Sequence, residues 1–171
     1  MNPSDPDIKK AAVCGLFCPA CSLYIATTED PERLEILAKR FGMPKEELEC
    51  LGCRSEKLSF FCRNHCKMVK CAAEKGLEFC CECGEYPCAE LSVFQSKAPH
   101  RIELWNSQKR IKEAGWEKWY SEMLDMYKCG ACGAISSAYD IKCRKCGEEP
   151  SCAFTAKYHG EIEKSISKMK P

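Results

Sequence analysis

No stretch of this 171-residue chain approaches the roughly 18–20 consecutive apolar residues that a membrane-spanning helix needs, so a soluble protein is expected. The first ten residues are polar and interrupted by Pro3 and Pro6, without the apolar stretch of a secretory signal, and a cytoplasmic address is the expectation. Charge of one sign is lacking too. Lys and Arg number 26 against 25 Asp and Glu, which gives a formal +1 and argues against the basic face that nucleic-acid binding usually requires. Residues 128–171 hold eight Lys or Arg against five Asp or Glu, only a mild excess. The familiar catalytic signatures are absent: there is no HExxH, no phosphate-cradling glycine loop and no G-x-S-x-G. No catalytic residue is assigned on this reading, and a role other than catalysis is favoured.

What the chain has instead is cysteine, 17 residues of it. Fifteen fall into close-spaced groups: Cys14, Cys18 and Cys21; Cys50 and Cys53; Cys62, Cys66 and Cys71; Cys80, Cys83 and Cys88; and Cys129, Cys132, Cys143 and Cys146. Cys81, which lies inside the Cys80/Cys83 pair, and Cys152 stand apart. So much cysteine means either a disulfide scaffold or metal sites in a reducing compartment. The count is odd, and pairs separated by two residues suit two corners of a tetrahedral zinc site better than a bridge to each other, so metal is favoured. Bound cysteines are thiolates. A zinc held by four of them carries about two negative charges, so the loaded protein should be acidic.

The last group is the most specific. Cys129-Gly-Ala-Cys132-Gly133 and Cys143-Arg-Lys-Cys146-Gly147 are two zinc knuckles, each ending in the glycine that its turn requires. Ten residues separate them, enough for a short β-hairpin return, and the pattern resembles a zinc ribbon. The same four thiolates also suit a rubredoxin-like iron. Lys142, Arg144 and Lys145 beside the second knuckle raise a nucleic-acid reading, against which stands the commoner solvated turn.

The eleven ligand candidates before residue 96 do not partition on spacing alone. On a helix, Cys62 and Cys66 would share a face while Cys71 lies about 140° from Cys66, so the latter two would serve different ions unless the helix starts or breaks between them. Three tetrahedral sites could use His65 as a twelfth ligand, although an exposed helical histidine is the plainer reading; two sites with spare thiols fit equally. His100 and His159 have no cysteine neighbours and read as surface residues. Cys14-x3-Cys18-x2-Cys21 has the spacing that radical S-adenosylmethionine enzymes use for an iron–sulfur cluster, but the chain is too short and strand-poor for their barrel. A plain iron–sulfur cluster remains open as an alternative. A thiol redox role through an x2 pair is weakened by the absence of a βαβ pattern.

Helical signals frame these groups. Asp30-Pro31 followed by Leu34, Leu37, Ala38 and Phe41 predicts a helix ended by Gly42, and Met43–Glu47 a further helical turn. Phe61–Lys75 reads as one helix capped by Gly76. The cysteine-free stretch 97–127 carries Ile102, Trp105, Ile111 and Ala114, then Gly115, then an amphipathic stripe of Trp116, Trp119, Tyr120, Met123, Leu124 and Tyr127 that should dock onto the N-terminal region. Ile162, Ile166 and Met169 mark a last helix. The expected organisation is a cysteine-rich metal-binding domain over 1–96, an amphipathic helical connector over 97–127, and a zinc ribbon with a C-terminal helix over 128–171. The fold class is mainly α with small β elements.

These residues also resemble a bacterial and archaeal family of cysteine-rich, zinc-binding proteins classed as a domain of unknown function. Cys14-Gly-Leu-Phe-Cys18-Pro-Ala-Cys21, the Cys-x-Gly-Cys element at 50–53, the stretch from Cys66 to Cys71 with Lys75-Gly76, and Cys80-x2-Cys83-Gly-Glu-Tyr-Pro-Cys88 carry the resemblance over about residues 12–95. Ile111–Trp119 and the ribbon resemble its longer members. The resemblance implies metal binding and brings no activity with it. The expected cofactor is zinc, three or four ions, with an iron–sulfur cluster in the N-terminal domain as the alternative. The expected role is a structural zinc protein acting as an interaction or scaffold module. A protein is the expected class of partner, nucleic acid is disfavoured, and no membrane contact is expected.

Overall fold

Ten short helices carry the chain in the computed structural model, which describes residues 5–168. They are α1 (Ser22–Thr28), α2 (Pro31–Phe41), α3 (Lys45–Leu48), α4 (Phe60–His65), α5 (Lys67–Lys75), α6 (Ala89–Ser96), α7 (Leu104–Ala114), α8 (Trp116–Tyr127), α9 (Ala153–Lys157) and α10 (His159–Lys168). Single 3₁₀ turns at Ile8–Lys10, Cys18–Ala20, Cys80–Glu82 and Pro99–Arg101 join them. None of the described helices is long and apolar enough to cross a membrane.

The α2 boundaries follow from its caps: the Asp30 carboxylate accepts the Arg33 N–H at 3.0 Å, and Gly42 closes the far end. Phe61–Lys75, expected as one helix, is two. Cys66 is extended (φ −89°, ψ 107°) between α4 and α5, which turns it away from the helix face it would have shared with Cys62. The expected small β elements are also corrected. Among the described residues there is no strand, only the isolated bridges Ala11–Phe17 and Lys128–Ile135. Between the knuckles, side chains take the backbone partners a hairpin would use. Asp140 Oδ2 accepts the Ser137 N–H at 2.9 Å, and Ser137 Oγ accepts the Tyr139 N–H at 3.2 Å.

The largest apolar core draws on all parts of the chain: Phe17, Phe79 and Cys81 from the N-terminal region, Ile111, Trp119, Tyr120 and Tyr127 from α7 and α8, and Ala138, Cys152, Phe154 and Ile162 beyond. Phe17 is its hub, edge-on to Trp119 and Tyr120 and stacked on Tyr127 at 5.9 Å. The aromatic stripe of α8 is therefore core. Ring pairs of this kind contribute about 0.5–1.5 kcal/mol each beyond the area they bury. Ile162 is buried and Ile166 partly so, while Met169 lies outside the described residues. A second core gathers cysteines among aliphatic and aromatic side chains, around Val13, Met68, Leu91 and Leu104.

Candidate metal centre

Directly after α8, the chain makes two turns with one hydrogen-bond pattern. The Cys129 N–H donates to Ala134 O (2.9 Å) and the Gly133 N–H to Cys129 O (2.9 Å); the Cys143 N–H donates to Glu148 O (2.8 Å) and the Gly147 N–H to Cys143 O (2.9 Å). Gly133 and Gly147 have φ of 75° and 79°, the left-handed backbone expected from the sequence. The two knuckles face each other, so the sulfurs of Cys129, Cys132, Cys143 and Cys146 all lie within 4.8 Å of one another. Cys129 and Cys146 are 3.7 Å apart at sulfur, and Cys132 and Cys143 3.6 Å. A tetrahedral zinc with Zn–S bonds near 2.3 Å sets its sulfurs about 3.8 Å apart, and these two separations are close to that spacing.

The electrostatics of the four thiols also favour a cation. Burial pushes the Cys143 thiol up, but the backbone N–H groups of Cys146 and Lys145, with the sulfurs of Cys132 and Cys146, bring it down to about 6. The Glu148 N–H favours the Cys146 thiolate, yet the crowding of Cys132, Cys143 and Cys129 pushes that thiol up to about 12. One thiolate forms readily and the next is resisted by its neighbours. A divalent ion removes that resistance, at the cost of released protons.

The module is tied to the N-terminal helices by charge. Arg33 makes a bidentate pair with Asp140 (3.1 and 3.0 Å) while also holding Asp30. Glu29, just beyond α1, accepts both Arg144 and Lys145, and Lys142 pairs with Glu149. The three basic side chains beside the second knuckle are thus engaged within the chain.

The eleven N-terminal candidates are placed less tightly. Cys14, Cys50 and Cys53 are buried; Cys18, Cys62, Cys66, Cys80, Cys83 and Cys88 are half-buried; Cys21 and Cys71 are exposed. Among the described residues, no three of them form a ligand group as compact as that of Cys129, Cys132, Cys143 and Cys146. Neighbour relations are nevertheless definite. The Cys62 thiol donates to Cys50, which lowers Cys50 to about 6 and raises Cys62. The Cys53 N–H points at Cys18 Sγ (3.4 Å), and Lys75 Nζ at Cys83 Sγ (3.4 Å). Burial pushes Cys53 up to about 11 and Cys80 up to about 12, and raises Cys14 and Cys18 well above the usual thiol range. Backbone N–H groups of Leu16, Leu23 and Gly52 aim at the sulfurs of Cys14, Cys21 and Cys50, each from two residues on, as Lys145 and Glu148 do at Cys143 and Cys146. His65 is exposed, against the Phe60 ring. Cys81 and Cys152 are buried in the largest apolar core, Cys152 among Ser151 and Thr155.

His100 corrects its surface reading. It is half-buried, accepts from Arg101 Nε at Nε2 (3.1 Å) and meets Tyr139 Oη at Nδ1 (2.6 Å). Its contact with Tyr139, 39 residues away, left no trace in local sequence. His159 is a partly exposed side chain paired with Glu163 (3.4 Å), in keeping with its reading. Gln108 was missed as well. It is fully buried on α7 and clasps the segments of Cys14 and Cys81, a role hidden because a polar residue interrupts the Leu104/Ile111 stripe.

Residues 10–93, just under half of the chain, match the model of a family described as Protein of unknown function (DUF3795). The match takes in every N-terminal cysteine from Cys14 to Cys88 and stops before Cys129. No curated protein matches the chain, and no solved structure does.

Proposed function

We propose that the protein is a zinc-binding protein whose thiolate sites are structural, three or four ions in all, and that it serves as an interaction or scaffold module. The observation that carries this reading is the four-cysteine group at 129–146, whose sulfur separations of 3.6 and 3.7 Å suit tetrahedral zinc. Cys129, Cys132, Cys143 and Cys146 would hold the ion. With four protein ligands no position remains for water or substrate, and the ion's contribution is to the fold of a segment with little core of its own, Cys129, Ala134 and Cys143.

The pairing of Arg144 and Lys145 with Glu29 supports a knuckle spent on internal docking rather than on nucleic acid.

A second reading makes the N-terminal cysteines an iron–sulfur redox centre. It is supported by the buried sulfurs of the second core and by the Cys53 N–H aimed at Cys18, since such bonds to sulfur set cluster potentials. Elemental analysis of anaerobically purified protein separates the two. Colourless protein with three or four zincs per chain is expected; stoichiometric iron and sulfide would overturn the zinc reading in favour of the cluster.

A further inference from the structure

The four-cysteine group at 129–146 has an inner and an outer pair of sulfur-bearing residues. Cys129 and Cys143 are buried and form a small apolar cluster with Ala134, whereas Cys132 and Cys146 are exposed. A carbon added at Gly130, Gly133 or Gly147 would meet nothing within 4 Å, so the outer rim of both turns stands clear of the rest of the chain. Both short sulfur contacts run from one turn to the other, and each joins an outer cysteine to an inner one: Cys146 to Cys129 at 3.7 Å and Cys132 to Cys143 at 3.6 Å.

An oxidant in solvent therefore reaches one member of each pair and leaves a reduced partner behind it. An oxidised thiolate becomes a sulfenic acid, which condenses with a second thiol where one is at hand and otherwise goes on to sulfinic acid. A disulfide sets its sulfurs about 2.05 Å apart, so each contact has about 1.6 Å to close. The hydrogen bonds that brace each turn, Gly133 N–H to Cys129 O and Gly147 N–H to Cys143 O (both 2.9 Å), lie inside one turn. A bridge between the turns leaves them in place, whereas a bridge from Cys129 to Cys132 or from Cys143 to Cys146 would have to close inside the few residues they already brace.

We propose that this group is a peroxide-sensitive switch in which two disulfides, Cys129–Cys146 and Cys132–Cys143, take the place of the metal ion. The proposal rests on the zinc reading above and adds regulation of that site. The outer thiolate attacks hydrogen peroxide; the S–O bond forms, the O–O bond breaks and hydroxide leaves. The inner thiolate then attacks the sulfenic sulfur, forming the S–S bond and expelling a second hydroxide. Each pair gives two electrons to one peroxide. Four thiolates around one divalent ion and two peroxides thus yield two disulfides, the free ion and four hydroxides, because a sulfur without its thiolate charge no longer holds the ion. The bridges tie together the same two turns that the ion would, across 17 and 11 residues of sequence, so the oxidised group stays closed and a thiol reductant with zinc reverses the exchange.

The test treats the full zinc-loaded chain with hydrogen peroxide. A chromogenic chelator reads zinc release, and remaining thiols are alkylated before tandem mass spectrometry of the peptides covering residues 128–157. Zinc release with loss of all four free thiols to Cys129–Cys146 and Cys132–Cys143 bridges, reversed by reductant and zinc, is expected. Sulfinic acids or bridges within one turn would overturn the switch and leave the zinc reading intact, as would four thiols that survive peroxide with zinc retained. Alkylation of the four cysteines at equal rates with and without zinc, before any peroxide is added, would overturn the switch together with the zinc reading on which it rests.

Discussion

Gln108 accepts the backbone N–H of Cys81 at 2.6 Å through Oε1, and its Nε2 donates to Val13 O at 3.1 Å, so one buried amide on α7 pins together the start and the end of the cysteine-rich region. Replacing it with leucine keeps the volume but orphans a buried N–H and a buried carbonyl. At about 1–3 kcal/mol for each group left without a partner, Gln108→Leu should lower stability by about 2–4 kcal/mol. Denaturant unfolding at fixed metal concentration measures it. A loss below about 0.5 kcal/mol would show that the clasp is incidental.

Gly52 is held at φ 113° with Lys9 O where a side chain would begin. The obstacle is backbone, so it cannot swing aside. Gly52→Ala should cost on the order of 3 kcal/mol, whereas Gly130→Ala, with open space around the added carbon, should stay within about 0.5 kcal/mol. Thermal unfolding of the two variants side by side makes the comparison, and equal midpoints would contradict it.

The Arg33–Asp140 pair joins α2 to the turn between the knuckles across 107 residues of sequence. Both side chains are mostly shielded, and the geometry is bidentate, so a double-mutant cycle through Arg33→Ala and Asp140→Ala should give a coupling of about 1–2 kcal/mol. Additive single effects would mean that the module rests on the helix without this clamp.

These cases show what was legible in the sequence. The α2 boundaries were, because Asp30 and Gly42 act within a turn of the residues they cap. The four-cysteine group at 129–146 was, because each of its turns is closed by bonds reaching at most five residues. The path of the cysteine-bearing N-terminal segments was not. It depends on Gly52 passing under Lys9, on Gln108 spanning two segments, and on the extended backbone of Cys66 where helical periodicity runs on unbroken. The hairpin failed for a local reason: Ser137 and Asp140 offered the backbone side-chain partners that compete with a ladder.

His100 makes a pH prediction. Burial first, then the adjacent Arg101 charge, lower it to about 3 from an ordinary value of 6.5. The unfolded chain then takes up a proton near pH 6.5 that the folded chain refuses. The contribution is intact above about pH 6.5 and is lost as pH falls toward 3, reaching about 2 kcal/mol at pH 5. The Arg101 N–H donated to Nε2 leaves the ring proton on Nδ1, facing Tyr139. Ring ¹⁵N and ¹³C shifts of His100 should stay those of the neutral Nδ1–H tautomer from pH 8 to pH 5. A titration midpoint near 6.5 would contradict the burial.

Metal-dependent folding is tested most directly by hydrogen exchange on the full chain, metal-loaded and metal-stripped under reducing conditions, read over residues 128–152. The amides of Cys129, Gly133, Cys143 and Gly147, which close the two knuckles, should be protected when the four cysteines hold an ion and should exchange freely once it is removed. Equal protection of these four amides in both states would contradict a fold held by metal.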